Sequence, residues 1–289
     1  MTELFINAVV SGLLLGGFYA ALALGLSIAF GQLDIVNIAH PAFVIFGSYV
    51  TFFINEHFGL DPILIGVLFT PVFFMIGVIL YRIYYAAFER TGQESLSGLA
   101  FFFGLMFIIE VVLIMVYGVD YRNVQAAYIG ESLKFSIFII PYRMLTAFIA
   151  STIMTAGVYF YISRTFMGRA ILAVSQDRLA LQLMGANPIN VKQIAMGIAI
   201  ATTMLAGALL IMIQPIEPSF GRIYIGQVFA IVVLGGMGSI GGTFIAALII
   251  GVAESLVQTF AGPAWSPAVS FGILLVMLAL RPQGLFGRL

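Results

Sequence analysis

The chain has 289 residues, 62% of them hydrophobic and 8% charged, with 12 basic side chains balancing 12 acidic ones and no cysteine. A soluble domain is roughly 25% charged, so this is an integral membrane protein with the lipid bilayer as its solvent. Zero net charge leaves no basic stripe to replace counterions on a phosphate backbone, which excludes nucleic acid as a partner, and the lack of cysteine removes disulfides, thiolate metal sites and cysteine nucleophiles.

The N-terminus, MTELFINAVV, has neither the basic region nor the small-residue cleavage site of a signal peptide, and its apolar run is expected to stay as a spanning helix. Residues 4–30 hold no charge, which at about 1.5 Å per residue is ample for a bilayer core of about 30 Å. Within the run Gly12 and Gly16 form a GxxxG pair, joined by Gly17 and Gly25, and this predicts close approach by another helix of the same subunit. A polar interruption, GQLDIVNIAHPAF at 31–43, then leads into a thin apolar stretch at 42–54. Pro41 cannot donate a backbone hydrogen bond, so a helix starts or breaks there. The expectation is a discontinuous helix, with Asn37, His40, Pro41 and Ala42 lining a covered cavity at membrane depth.

The loop at 55–61 holds Glu56 and Asp61 without Lys or Arg and reads as outer, whereas Arg82 and Arg90, after the span at 62–81, read as inner. Spans follow at 97–117, interrupted by Glu110, and at 138–162, with a mixed polar segment at 118–136 assigned to the outside. Segment 163–192, SRTFMGRAILAVSQDRLALQLMGANPINVK, sets Arg164, Arg169, Arg178 and Lys192 against Asp177 and is read as a large cytoplasmic loop. Apolar runs at 194–213, 228–237, 243–260 and 266–280 complete the chain, and Arg281 and Arg288 mark an inside C-terminus. The expected fold is therefore all-α, a polytopic membrane helical bundle over residues 1–289. It has about eight to ten crossings, and nine, with the N-terminus outside, if both short segments cross. Each half shows a full-length helix, an interrupted short segment and longer helices, and the halves run in opposite directions, the pattern of an inverted-topology repeat.

The second interrupted segment, VVLGGMGSIGGTF, contains Gly235, Gly236, Gly238, Gly241 and Gly242. In a helix interior each would cost about 1 kcal/mol relative to alanine, so the run is expected to be a tight turn with close helix contacts or backbone that lines a path, together with Ser239. GxxxxGK[ST] occurs nowhere and the only lysines are Lys134 and Lys192, which excludes a P-loop. Glu110 and Glu254 lie inside apolar spans and are either functional or satisfied by neighbouring helices. His40 and His57 are the sole histidines, without an HExxH pair, and neither a nucleophile elbow nor a spaced carboxylate pair is present, so neither a metal site nor an enzyme is expected.

Four motifs, NIAHPAF, GRAILAVSQDRLALQLMGAN, VLGGMGSIGGTFIAALIIGVAES and the terminal RPQGLFG, resemble in order, over nearly the whole chain, the LivH-type permease subunits of branched-chain amino acid ABC importers, the LivH/LivM family. That resemblance implies a LivM-like second permease, two cytoplasmic ABC ATPase subunits that bind ATP and Mg, and a periplasmic solute-binding protein, all at the bacterial cytoplasmic (inner) membrane, with no cofactor in this chain. It implies that segment 163–192 docks onto the ATPase, with Gly168, Arg169, Gln176, Asp177, Arg178 and Gly185 carrying the coupling. Were that loop one helix, Leu172, Leu179 and Leu183 would share a face. Alternating access would then run along the short segments at 41–54 and 226–242, past Asn37, His40, Pro41, Ala42, Glu110, Gly235, Gly236, Gly238, Ser239 and Gly241. Relatives commonly read NxAHGEF where this chain has Pro41 and Ala42, so the expected solute is an amino acid or a related small polar or organic-acid solute. Read without the resemblance, the residues leave open an ion- or proton-coupled carrier or channel that uses Glu110 and Glu254.

Overall fold

A computed structural model describes residues 1–92, 94–126, 128–134, 139–281 and 283–287. Arg288, Pro282 and residue 138, with which the fifth span was expected to begin, lie outside the described residues. The helices are α1 (Thr2–Leu33), α2 (His40–Phe58), α3 (Pro62–Ala87), α4 (Glu94–Tyr117), α5 (Tyr142–Arg164), α6 (Phe166–Val174), α7 (Arg178–Leu183), α8 (Pro188–Ile213), α9 (Gly221–Gly235), α10 (Ile240–Phe260) and α11 (Ser266–Leu280). Among the described residues eight helical segments are long and apolar enough to cross a bilayer, those of α9 and α11 only together with the 3-10 turns before them, and α2 is a further, less apolar helix. The fold is thus an all-α polytopic membrane bundle, with one addition that the sequence did not announce: a two-stranded antiparallel hairpin, β1 (Ser132–Lys134) and β2 (Ile139–Pro141). Pro141 ends β2 in an extended conformation and stands as N-cap of α5, which is why that helix begins at Tyr142.

Local chemistry sets where helices begin. Asp61 caps α3 by accepting from the amides of Ile63 and Leu64, Asn187 caps α8 through Ile189, and Ser239 caps α10 through Gly242, so donors that a helix leaves orphaned find side chains. Pro62 and Pro188 stand in the first turns, where the missing amide is no loss.

The centre of the bundle is α1 and α8, whose apolar windows are 83% and 89% buried, against 6% for the segment of α11. Lipid is as apolar as leucine, so contact between helices depends on close packing. The GxxxG pair supplies it inside the subunit, as expected: a methyl placed on Gly16 would lie 2.6 Å from the Leu248 Cα, and one on Gly12 2.6 Å from the Val252 Cα, both on α10. On the other side of the bundle Gly77 of α3 meets the backbone of α8 at Met196 and Gly197 in the same way. These two seams correspond. Pairing α1 with α8, α2 with α9, α3 with α10 and α4 with α11 maps the main helix contacts onto one another: α1 lies along α10 as α8 lies along α3, α2 crosses α8 as α9 crosses α1, and α4 packs on α2 as α11 packs on α9. Each matched pair runs in opposite directions, with α5 to α7 as the connector, which is the inverted repeat expected from the pattern.

The ends differ in charge balance: Arg82, Arg90, Arg164, Arg169, Arg178, Lys192 and Arg281 lie with Asp34, Glu89 and Asp177 at the end where α1, α3, α5, α9 and α11 finish, while Glu3, Glu56, Asp61, Asp120 and Glu131 lie with Arg122 and Arg143 at the other. Replacing Gly16 by leucine drives a branched side chain into the α10 backbone, and overpacking of this kind is expected to destabilise by about 1–3 kcal/mol. Thermal unfolding of the purified protein in detergent checks it, with Gly104→Leu, where nothing stands within 4 Å of the added carbon, expected to leave the melting point unchanged.

Candidate functional site

Two helices of the repeat begin in the middle of the bundle rather than at its ends. After α1 the chain turns back through residues 34–39, and α2 starts at His40, whose Nε2 lies 2.9 Å from the carbonyl of Leu22. A carbonyl only accepts, so Nε2 carries the proton and donates, leaving Nδ1 as an acceptor without a protein partner. His40 and Asn37 are fully buried, and neither amide atom of Asn37 has a protein partner. Close backbone contact at Gly25, which faces Ala199, Thr202 and the His40 ring, fixes this level at the midpoint of α8. From the opposite side residues 214–220 dip inward and α9 starts at Gly221, whose position for a side chain is 3.4 Å from the Cα and N of Ala42. The first turns of α2 and α9 therefore meet at mid-depth, each presenting the positive end of a helix dipole.

Beside this junction Arg222 of α9 grips Glu110 of α4 with Nε at 2.8 Å and Nη2 at 2.7 Å. The guanidinium also lies over the Phe107 ring, 4.9 Å from its centroid. Glu254 is satisfied in another way: Tyr19 donates from 2.7 Å, Gln227 from 2.9 Å, and Ser270 donates as well, so α1, α9 and α11 converge on one buried carboxylate of α10.

The glycine run lies elsewhere, at the basic end, as the turn between α9 and α10. Gly236 and Gly238 have φ of 92° and 81°, values that favour glycine. Gly235 stacks against Gly242 and Thr243, and the residues after α11 close the turn from outside: Leu285 and Phe286 donate their amides to the carbonyls of Leu234 and Gly235 at 2.8 and 3.3 Å.

Segment 163–192 begins in the last turn of α5, folds as the short helices α6 and α7 with a break at 175–177, and enters α8. Because the helix breaks, Leu172 does not share a face with Leu179 and Leu183, and Leu181 is the residue turned inward. Asp177 makes the break by capping α7, accepting from the amides of Leu179 and Ala180 at 2.8 and 3.0 Å. Gly168 lets α6 lie against the Ile162 backbone of α5, and Gly185, with φ of 81°, ends α7. The segment is tied down by Glu89, a buried carboxylate that accepts from Lys192 Nζ at 2.5 Å and from Tyr81 at 2.6 Å, with Arg178 at 3.4 Å. A second tie runs from Ser175 to Gln32 and from Gln32 to the carbonyl of Gly238. Around that tie is a cavity of about 550 Å³ that Gln176 shares with Gly238, Ser239 and Gly241.

The profile of the family described as "Branched-chain amino acid transport system / permease component" matches residues 8–278. The chain belongs to this family. Branched-chain amino acid permease BraD of Pseudomonas aeruginosa is 27% identical over 98% of this chain and 96% of its own length, and LivH of Escherichia coli K12 is 28% identical over the same shares. LivM of the same E. coli strain is 26% identical over 92% of this chain and 67% of its own length. No solved structure matches the chain.

In this permease the residues singled out from sequence fall into three places. Asn37, His40, Pro41 and Ala42 sit at the mid-depth junction, Glu110 beside it, and Gly235, Gly236, Gly238, Ser239 and Gly241 at the basic end, where some of them meet the Gln176 of segment 163–192. Arg169 follows Gly168 on α6, with its amide bonded to Thr165. Sequence reasoning missed Arg222 and Glu89. Arg222 lay in a short polar gap that no motif covers, though an acid inside one apolar span and a base just before another was a signal that the two could pair. Glu89 gives no signal of its own, because topology rules count bases and ignore acids. Removing its carboxylate strands the buried Lys192, so Glu89→Ala is expected to destabilise the permease by about 3–5 kcal/mol, with Glu89→Gln intermediate, as read by melting in detergent.

Proposed function

We propose that the chain forms one half of the membrane channel of a binding-protein-dependent ABC importer for amino acids or a related small polar or organic-acid solute. In this reading it sits in the bacterial cytoplasmic membrane beside a LivM-like permease, the basic end faces the cytoplasm, a periplasmic solute-binding protein delivers at the acidic end, and two ATPase subunits supply ATP and Mg chemistry. The relatives BraD, LivH and LivM are named as permeases for branched-chain amino acids.

One observation carries the coupling. On α7 and just after it Leu179, Leu183 and Met184 are 72%, 89% and 76% exposed at the basic end, beyond the spans, on an element anchored to α3 and α8 through Glu89. An apolar patch held rigidly outside the bilayer suits a protein partner. Motion of that partner would pass through Glu89 into α3 and α8, and through Ser175 and Gln32 into the α9–α10 turn, at the far end of α9 from the mid-depth junction. Asp177, Arg178, Gly168, Arg169, Gln176 and Gly185 shape or flank this patch, which is the role proposed for them. The carboxylates that a proton-coupled carrier would use are already engaged, Glu254 by three side chains and Glu110 by Arg222.

In proteoliposomes holding the whole complex, Leu183→Asp and the double change Asp177→Ala with Arg178→Ala are expected to reduce uptake and solute-stimulated ATP hydrolysis at least about tenfold, a loss of about 1.4 kcal/mol in coupling. Wild-type rates in both would overturn the assignment. Uptake in cells is expected to collapse on ATP depletion and to survive an uncoupler; the opposite result would favour a carrier.

A further inference from the structure

The Glu110–Arg222 pair is unequally covered: the carboxylate side chain is 8% exposed and the guanidinium side chain 50%. It lies well inside the spans, since Arg222 follows Gly221 at the mid-depth junction and Glu110 stands about 10 Å along α4 from Tyr117. A guanidinium facing lipid there is disfavoured, and such residues turn instead to protein or to a water-filled space. The open groove of about 950 Å³ between α3, α5 and α8 is, by contrast, lined by residues such as Val67, Phe74, Ile153 and Leu205, without one charge. Arg222 spends Nε and Nη2 on Glu110, which fixes the plane of the guanidinium, and Nη1 takes no part in that pair. The first turn of α9 adds positive potential at the same point.

From these observations we infer that the face formed by α4 and the start of α9 borders a water-filled solute route, and that Arg222 offers its Nη1 edge to the carboxylate of the passing solute while Glu110 holds it in place. The inference rests on the importer reading and assigns to one side chain of its route, Arg222, the contact with the solute's carboxylate.

The chain has no cysteine, so a single introduced thiol reports on its own position. Ile223→Cys, next to Arg222 and exposed, keeps the ion pair intact, and Val111→Cys on α4 repeats the measurement if that variant fails to assemble. Met75→Cys, exposed on α3, serves as the lipid-facing control. The whole complex in proteoliposomes is treated with anionic sulfonatoethyl and cationic trimethylammonioethyl methanethiosulfonate, each rate normalised to that with a free thiol in solution. The thiol of the Ile223→Cys variant is expected to react at least about 10-fold faster than that of the Met75→Cys control, with the anionic reagent favoured several-fold, and adding Arg222→Gln is expected to abolish the anion preference while labelling persists. Reactivity as low as that of the control would place this face against lipid or a protein partner rather than water and overturn the inference. An anion preference that survives Arg222→Gln would remove Arg222 from the role. Wild-type ATP-driven uptake measured on the same vesicles separates failure of this inference from failure of the importer reading.

Discussion

An amide at mid-bilayer finds no partner in lipid and must be covered by protein or line a water-filled space, and both broken helices put their first turn there. Enclosure of α2 and α9 is therefore the condition that the remaining helices meet. Central α1 and α8 supply it, and they come close enough only because glycines stand where backbones touch: Gly25 against Ala199, and Gly207 against the α2 backbone at Val44 and Ser48, whose hydroxyl donates to the Gly207 carbonyl at 2.7 Å. The long seams α1–α10 and α3–α8 hold that core from both sides. Irregular backbone at this depth is thus a product of regular packing around it.

Two acids within the spans show two solutions to one electrostatic problem. Glu254 collects neutral donors from three helices and is hidden, so its role is to fasten α10 to α1, α9 and α11. Glu110 takes a full positive charge, and the pair is open on the arginine side. Hydroxyl and amide donors can be buried with a carboxylate at little further penalty, whereas an ion pair half out of the protein demands polar surroundings of its own. Carboxylates within the spans are thus satisfied by neutral donors in one place and by a half-exposed cation in another.

Much of this arrangement was legible in the sequence because it is written in local rules. Uncharged runs gave the spans, Pro41 gave the start of α2, the GxxxG pair gave the α1 seam, and the order of long and interrupted segments gave the repeat. What could not be read depends on contacts between distant parts of the chain. No period or spacing links Glu110 to Arg222 or Glu89 to Lys192, and the break at Asp177 follows from a cap that competes with a continuous helix. The glycine run shows the intermediate case. Its turn was foreseeable from residue type, but its distance from the Asn37–His40 junction was not, since both segments simply interrupt apolar runs in sequence.

The residues after α11 reach back to bond the last carbonyls of α9, with Gly284 set against Gly236. Among the described residues the backbone partners of those two carbonyls lie about 50 residues further along the chain. The α9–α10 corner is therefore held by backbone from beyond α11, so the helix that starts at mid-depth and the last span of its repeat are joined by main-chain bonds at the basic end as well as by side-chain packing along their length.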